Sequence, residues 1–153
     1  MAFVRTQQVH VDVPAAKVYP LLADVTQHPT WADQGLTVTH VDGPEQGPGA
    51  VYKTAVLGAL PGPAGKKPIE GELTVIDLDE GSRVVYECKD DGGHYRWTAL
   101  LTADATGTQV VHTVERLEAP IYIPVIQPLL WKTVGRKQVQ HGLDNLKRVA
   151  ESG

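Results

Sequence analysis

The run QPLLWKTVGRKQVQHGLDNLKRVAESG, residues 127–153, decides the fold. It shows no period-two alternation and is rich in helix formers, so it reads as one long terminal helix from about Pro128 to Ala150. Trp131, Gly135, Gln138 or Val139, Gly142, Leu146 and Val149 recur in steps of three and four, which gathers them on one face turned toward the rest of the protein. A glycine inside a helix costs about 0.5–1 kcal/mol against alanine, so two on one face need compensation. Either the helix packs closely at those points, or it leaves space there for a ligand.

Upstream of this helix the chain is strand-like. LTVTHV (36–41), AVYKTAV (50–56), IEGELTVI (69–76), RVVYECK (83–89), HYRWTALLT (94–102) and TQVVHTVERL (108–117) are separated by the turn signals DGPEQGPG, DLDEG, KDDGG and DATG. Short connections make sequential strands antiparallel neighbours. A seventh strand precedes them, because Val9, Val11 and Val13 alternate with His10 and Asp12. Between it and the sheet stand two short helices. Pro14 suits a first helical position, Val18, Leu21 and Leu22 form an apolar stripe, and Pro20 predicts a kink. Pro29 is expected to start the second helix, which carries Trp31. Helices this short are marginal alone and must brace the sheet.

With 153 residues, of which 42% are hydrophobic and 21% charged, the chain reads as a single globular domain spanning 1–153. A net charge of −4 and the lack of any Lys/Arg run argue against a nucleic-acid partner. Neither an apolar leader nor a long uncharged apolar run is present, which predicts no membrane insertion and a cytoplasmic location. Cys88 is the lone cysteine, so no disulfide framework exists within the chain.

Other chemistries fail on spacing. GPAGKK (62–67) lacks both the first glycine and the final Ser/Thr of a phosphate loop, and LGALPGPAGKKPIEG (57–71) reads instead as a mobile loop bordering a cavity entrance. His112 and Glu115 are three apart on a strand and face opposite sides, so no metal site is expected, and no cofactor. Ser82 and Ser152, in exposed contexts, offer no nucleophile for hydrolysis. Cys88 reads as a small buried hydrophobe beside Tyr86.

The order strand, two short helices, six strands, long helix resembles the START-like (SRPBCC) superfamily with its helix-grip fold. VDVPAAKVYPLLADVTQHPTW, GTQVVHTVE and PLLWKTVGRKQVQHGLDNLKRVAE look like its bacterial polyketide cyclase/dehydrase and lipid-transport branch. The resemblance implies an α+β fold in which a curved seven-stranded antiparallel sheet wraps the C-terminal helix and the short helices close one side. By the same resemblance a deep apolar cavity is expected between them. It also implies three kinds of function: cyclisation or dehydration of a polyketide-like molecule, non-catalytic carriage of a hydrophobic ligand, or a co-chaperone-like interaction.

Alternation then sorts the strand residues. Tyr95, Trp97, Ala99 and Leu101 share one face and His94, Arg96, Thr98 and Thr102 the other. The Trp97 face is expected inside, and on the neighbouring strand so is His112 between Val110 and Val114. The expected ligand-binding set is Trp31, Tyr52, Tyr86, Tyr95, Trp97, Trp131, Gln138 and His141, aromatic walls with few polar points that suit a small, flat hydrophobic partner. His112 is a candidate general acid or base, since an ordinary imidazole titrates near neutrality. His94 is a second candidate because cyclases of the resembled family carry a histidine near the start of a corresponding strand, although alternation sets it opposite Trp97. Those relatives also project an arginine into the cavity, and the inner positions Ile69, Gly71, Leu73 and Val75 supply none.

Overall fold

The computed structural model describes residues 2–32, 35–57 and 68–152. The seven strands are β1 (Val4–Val11), β2 (Thr37–Asp42), β3 (Val51–Leu57), β4 (Pro68–Asp79), β5 (Arg83–Asp90), β6 (Gly93–Asp104) and β7 (Gly107–Glu118). They form one antiparallel sheet in the order β1-β7-β6-β5-β4-β3-β2. From β3 to β7 each strand pairs with its predecessor, and β1 closes on β7, so most connections stay local. Register shifts between His40 and Asp42, Val75 and Asp77, and His94 and Tyr95 are bulges, the device that bends a sheet. The α+β helix-grip architecture is as the element order implies. Of the loop expected to be mobile over 57–71, residues 58–67 lie outside the described residues, and its two ends belong instead to strands, Leu57 to β3 and residues 68–71 to β4, where they take part in the β3–β4 ladder.

Helix α1 (Ala15–Ala23) follows β1 and contains Pro20. Pro14 stands outside it in extended geometry as the capping position, one residue before the place the sequence suggested. The second short element is a 3₁₀ turn over Val25–Thr30, begun by Asp24 and not by Pro29. The physical reason is capping: the Asp24 carboxylate accepts from the Thr26 backbone N–H at 3.0 Å and from its hydroxyl at 2.6 Å, so the turn starts where its orphan donors are satisfied.

The C-terminal element also differs from expectation. It begins at Ile123, five residues before Pro128, as α2 (Ile123–Leu130), passes through a π-helical turn (Trp131–Gly135) and continues as α3 (Arg136–Ser152). Pro124 sits in the first turn of α2, where a missing N–H does no harm. The π turn is closed by the Arg136 N–H on the Trp131 carbonyl.

The core joins β1, α1, the inner sheet face and α3 through Val11, Val18, Leu22, Val84, Val110, Leu143 and Leu146, all at most 1% exposed. Each such side chain contributes about 1.5–3 kcal/mol by leaving water. Polar ties fix where α3 lies: Lys147 Nζ donates to the His10 carbonyl at 2.9 Å, and the Asp12 N–H donates to Glu151 at 2.7 Å. At the β6–β7 turn a Cβ on Gly107 would stand 2.1 Å from the Val11 carbonyl oxygen, so only glycine lets β1 close against that turn.

Candidate functional site

Packing is tight at the Leu143 and Leu146 end of α3 and opens toward its beginning. There a cavity of about 390 Å³ lies between helix and sheet. Trp31, Tyr86, Trp97, Trp131, His112 and Gln138 line it, together with His28, Cys88, Leu73, Val139 and, at one edge, Asp90. Both glycines of the helix stripe, Gly135 and Gly142, belong to its wall. A Cβ on Gly142 would meet the Trp31 ring at 3.9 Å, ordinary contact, so this glycine leaves room in front of Trp31. A Cβ on Gly135 would come within 3.1 Å of the Trp131 ring, so that glycine also makes way for its own neighbour's indole. The two readings of the glycine stripe, close packing and open space, hold at different positions.

Strand pairing builds the floor. Tyr86 on β5 stands opposite Trp97 on β6, and Ala99 on β6 stands opposite His112 on β7. The small Ala99 lets the Trp97 ring lie on the His112 ring, with centroids 5.0 Å apart and planes 28° from parallel. The Tyr86 hydroxyl reaches His112 Nε2 at 3.5 Å. His112 Nδ1 is buried without a hydrogen-bond partner. Such an orphan costs about 1–3 kcal/mol in a folded protein, so it marks a place where the site is not finished by the chain itself.

The roof comes from the 3₁₀ turn. Trp31, 5% exposed, is oriented by its indole N–H donating to the Leu21 carbonyl at 2.8 Å. His28 packs edge-on to Trp31 and tilted against Tyr86, and its Nε2–H donates to the Leu22 carbonyl at 2.8 Å. His28 is a cavity residue that strand alternation and the helix stripe do not reveal. The available signal was the spacing Val25, His28, Trp31: three residues per turn in a 3₁₀ segment put all three on one side.

Burial keeps the titratable groups at the floor and roof of the cavity uncharged. Burial pulls His112 down to about 4, with the neighbouring His28 adding to the effect, and burial alone pulls His28 to about 4 against the opposing influences of its bond to Leu22 and of Asp24. Burial raises the Tyr86 hydroxyl and pushes the Cys88 thiol up to about 12. Near neutral pH all four groups are uncharged. Asp90 at the edge has a carboxyl raised first by desolvation.

The remaining expected residues lie elsewhere. Tyr52 is buried under the β2–β3 connection, its hydroxyl donating to the Glu45 carbonyl and its ring against His40. Its role there is anchoring: Tyr52→Phe is expected to cost about 1 kcal/mol in urea unfolding and to leave cavity occupancy unchanged. Tyr95 sits beside the β6–β7 bulge, where its hydroxyl donates to the Gly92 carbonyl at 2.9 Å and accepts from Gln127 Nε2 at 2.6 Å, so it ties α2 to the start of β6. His141 is on the exposed face of α3. His94 lies on the opposite face of β6 with Arg96, both held by the Glu87 carboxylate at 2.7 and 3.0 Å. That hydrogen-bonded row on the outer face takes His94 away from the cavity. Among the described residues that line the cavity there is no arginine.

Over 98% or more of its length the chain is similar in fold to the Zhui aromatase/cyclase from Streptomyces sp. R1128 (20% identity, TM-score 0.76, 94% of that chain covered), to TTHA0849 from Thermus thermophilus (18%, 0.69, 98%) and to Ara h 8.0201 (17%, 0.70, 100%). Identities this low speak to the fold. No curated protein matches in sequence. Among the described residues no helix is long and apolar enough to cross a membrane. The model of one family, however, matches residues 3–151 from the first strand through the terminal helix, and the chain therefore belongs to the polyketide cyclase / dehydrase and lipid transport family.

Proposed function

We propose that the protein binds a small, flat, hydrophobic molecule, aromatic or polyketide-like, in the cavity between sheet and helix. The observation that carries this is the composition of the walls: three tryptophans and Tyr86 around about 390 Å³ in which the histidines, the tyrosine and the thiol are all uncharged near neutral pH. Aromatic walls offer broad faces to a planar ligand, and few polar atoms demand pairing from it. Binding is expected to be saturable at one site when the neutral probe N-phenylnaphthylamine is titrated and its emission followed. Emission that rises without saturation, or not at all, contradicts the reading.

A second reading, proton transfer during cyclisation or dehydration, is favoured by the partnerless His112 Nδ1. A neutral imidazole held near 4 is a weak base, and its protonated form is scarce near neutral pH, so His112 is better suited to orienting a ligand oxygen than to moving a proton. Substituting His112→Phe keeps a ring against Trp97 and removes both nitrogens. The expected outcome is a three- to tenfold loss of affinity, roughly one neutral hydrogen bond, for naphthol but not for naphthalene. Equal losses for both ligands would show that His112 contributes shape alone. If a cyclisation substrate is found, loss of turnover by about a hundredfold or more in this variant assigns His112 to catalysis, and a change confined to affinity assigns the protein to carriage.

A further inference from the structure

Helix α2 is inside out. Its polar side chain, Gln127, faces the protein, accepting from Arg116 Nη1 at 2.6 Å and donating to the Tyr95 hydroxyl at 2.6 Å. Apolar side chains face solvent from the helix and from the turn that leads into it: Val125 is 79% exposed and Leu129 65%, with Ile126 beside them, and just before the helix Ile121 is 93% exposed, next to Tyr122. The spacing of four places Val125 and Leu129 on one face of the helix, the turn before it adds Ile121, and α2 buries none of its residues fully. The Gln127 bonds hold this orientation, so the apolar face is presented outward by design of the contacts around it. A cluster of this kind, projecting from the end of a helix, is a surface that something covers.

Charge indicates what covers it. The chain as a whole carries −4, yet residues 119–143 contain Lys132, Arg136 and Lys137 and no acidic residue. All three cations are exposed, and they follow the apolar line along the same continuous helical element. A second copy of the chain docking patch on patch would set these cations against each other. Apolar side chains flanked by cations match the interface of a membrane whose headgroups are anionic.

We propose that α2 and the adjoining π turn dock on the surface of an anionic lipid bilayer, with Ile121, Val125 and Leu129 entering the headgroup layer and Lys132, Arg136 and Lys137 at the phosphates. The helix lies on the membrane and does not cross it. Trp131, which opens the π turn, also lines the cavity, so docking sets the cavity wall against the bilayer. The proposal concerns the outer surface and stands or falls separately from the identity of the ligand.

The test is co-sedimentation with vesicles of phosphatidylcholine alone and with about a third phosphatidylglycerol. The parent is expected to pellet with the anionic vesicles, less with the neutral ones, and to be released by salt. Val125→Asp with Leu129→Asp is expected to lower partitioning by about tenfold or more, and Lys132→Glu with Arg136→Glu by about fivefold per cation lost. Both double variants should keep the parent's circular dichroism and probe titration, since none of the four residues lines the cavity. A parent that stays in the supernatant with both vesicles overturns the proposal. So does a parent that self-associates in sedimentation equilibrium while Val125→Asp/Leu129→Asp is monomeric, because the patch then belongs to a second copy.

Discussion

Gly142→Leu is expected to abolish small-molecule binding while leaving the protein folded. A Cβ at this position meets Trp31 at ordinary contact distance, so the backbone of α3 accepts a side chain without strain. Replacing a helix-interior glycine also recovers up to about 1 kcal/mol of helix propensity. The three further carbons of leucine extend into the space in front of Trp31 that a ligand ring would fill. Losing about 3 kcal/mol of apolar burial lowers affinity by about a hundredfold, so the probe titration should flatten although the melting temperature holds or rises. Gly142→Ala is the control and should bind nearly as well as the parent. Gly135→Leu is less informative, because its Cβ presses on Trp131 and the π turn must shift. Unchanged binding by a folded Gly142→Leu protein would mean that the ligand space lies elsewhere.

Acidification is expected to destabilise the protein steeply between about pH 6.5 and 4. His28 and His112 are held neutral by burial, with folded values of about 4 against 6.5 when exposed. A depressed histidine means that the unfolded chain binds more protons in this window, so stability is complete above 6.5 and falls as pH falls through 4. At about 1.4 kcal/mol per pH unit, the loss approaches roughly 3 kcal/mol for each histidine. The surface groups behave differently. His10, raised chiefly by its bond to Asp104, contributes below 6.5 and loses that contribution as pH rises through its folded value. Asp104, lowered to about 2, acts only at more acid pH. Urea unfolding at a series of pH values reads the slope directly. His112→Phe should remove about half of it. A slope that His112→Phe leaves unaltered would show that His112 is not the buried titrating group.

What the sequence made legible follows from periodicity. Trp97 and His112 could be assigned to the inner face because β6 and β7 alternate regularly through that region, and the glycine stripe could be assigned to the sheet-facing side of the terminal helix because steps of three and four persist from Trp131 to Val149. Where regularity breaks, the reading fails. The bulge at His94 and Tyr95 lies at the start of β6, and Tyr95, nominally on the inner face, is taken up by Gln127 and Gly92. Tyr52 is on an inner position of β3, but its hydroxyl is satisfied by a loop carbonyl that no pattern announces. His141 follows the helix and falls on its outer side. His28 was hidden by a 3₁₀ period of three in a segment read only for its proline. The start of the terminal helix was hidden by three prolines, which mask α2 as a connection, and the π turn has no pattern signature at all.

The central claim is that the aromatic room between sheet and helix takes a hydrophobic small molecule. Heteronuclear NMR of the labelled protein during titration with N-phenylnaphthylamine tests it most directly, because it separates the cavity from the apolar face of α2. The account predicts saturable shifts of the indole signals of Trp31, Trp97 and Trp131 and of the Gly142 amide, fitting one site, with Val125 and Leu129 unmoved. Shifts confined to Ile121, Val125 and Leu129, with those indoles unchanged, would contradict it.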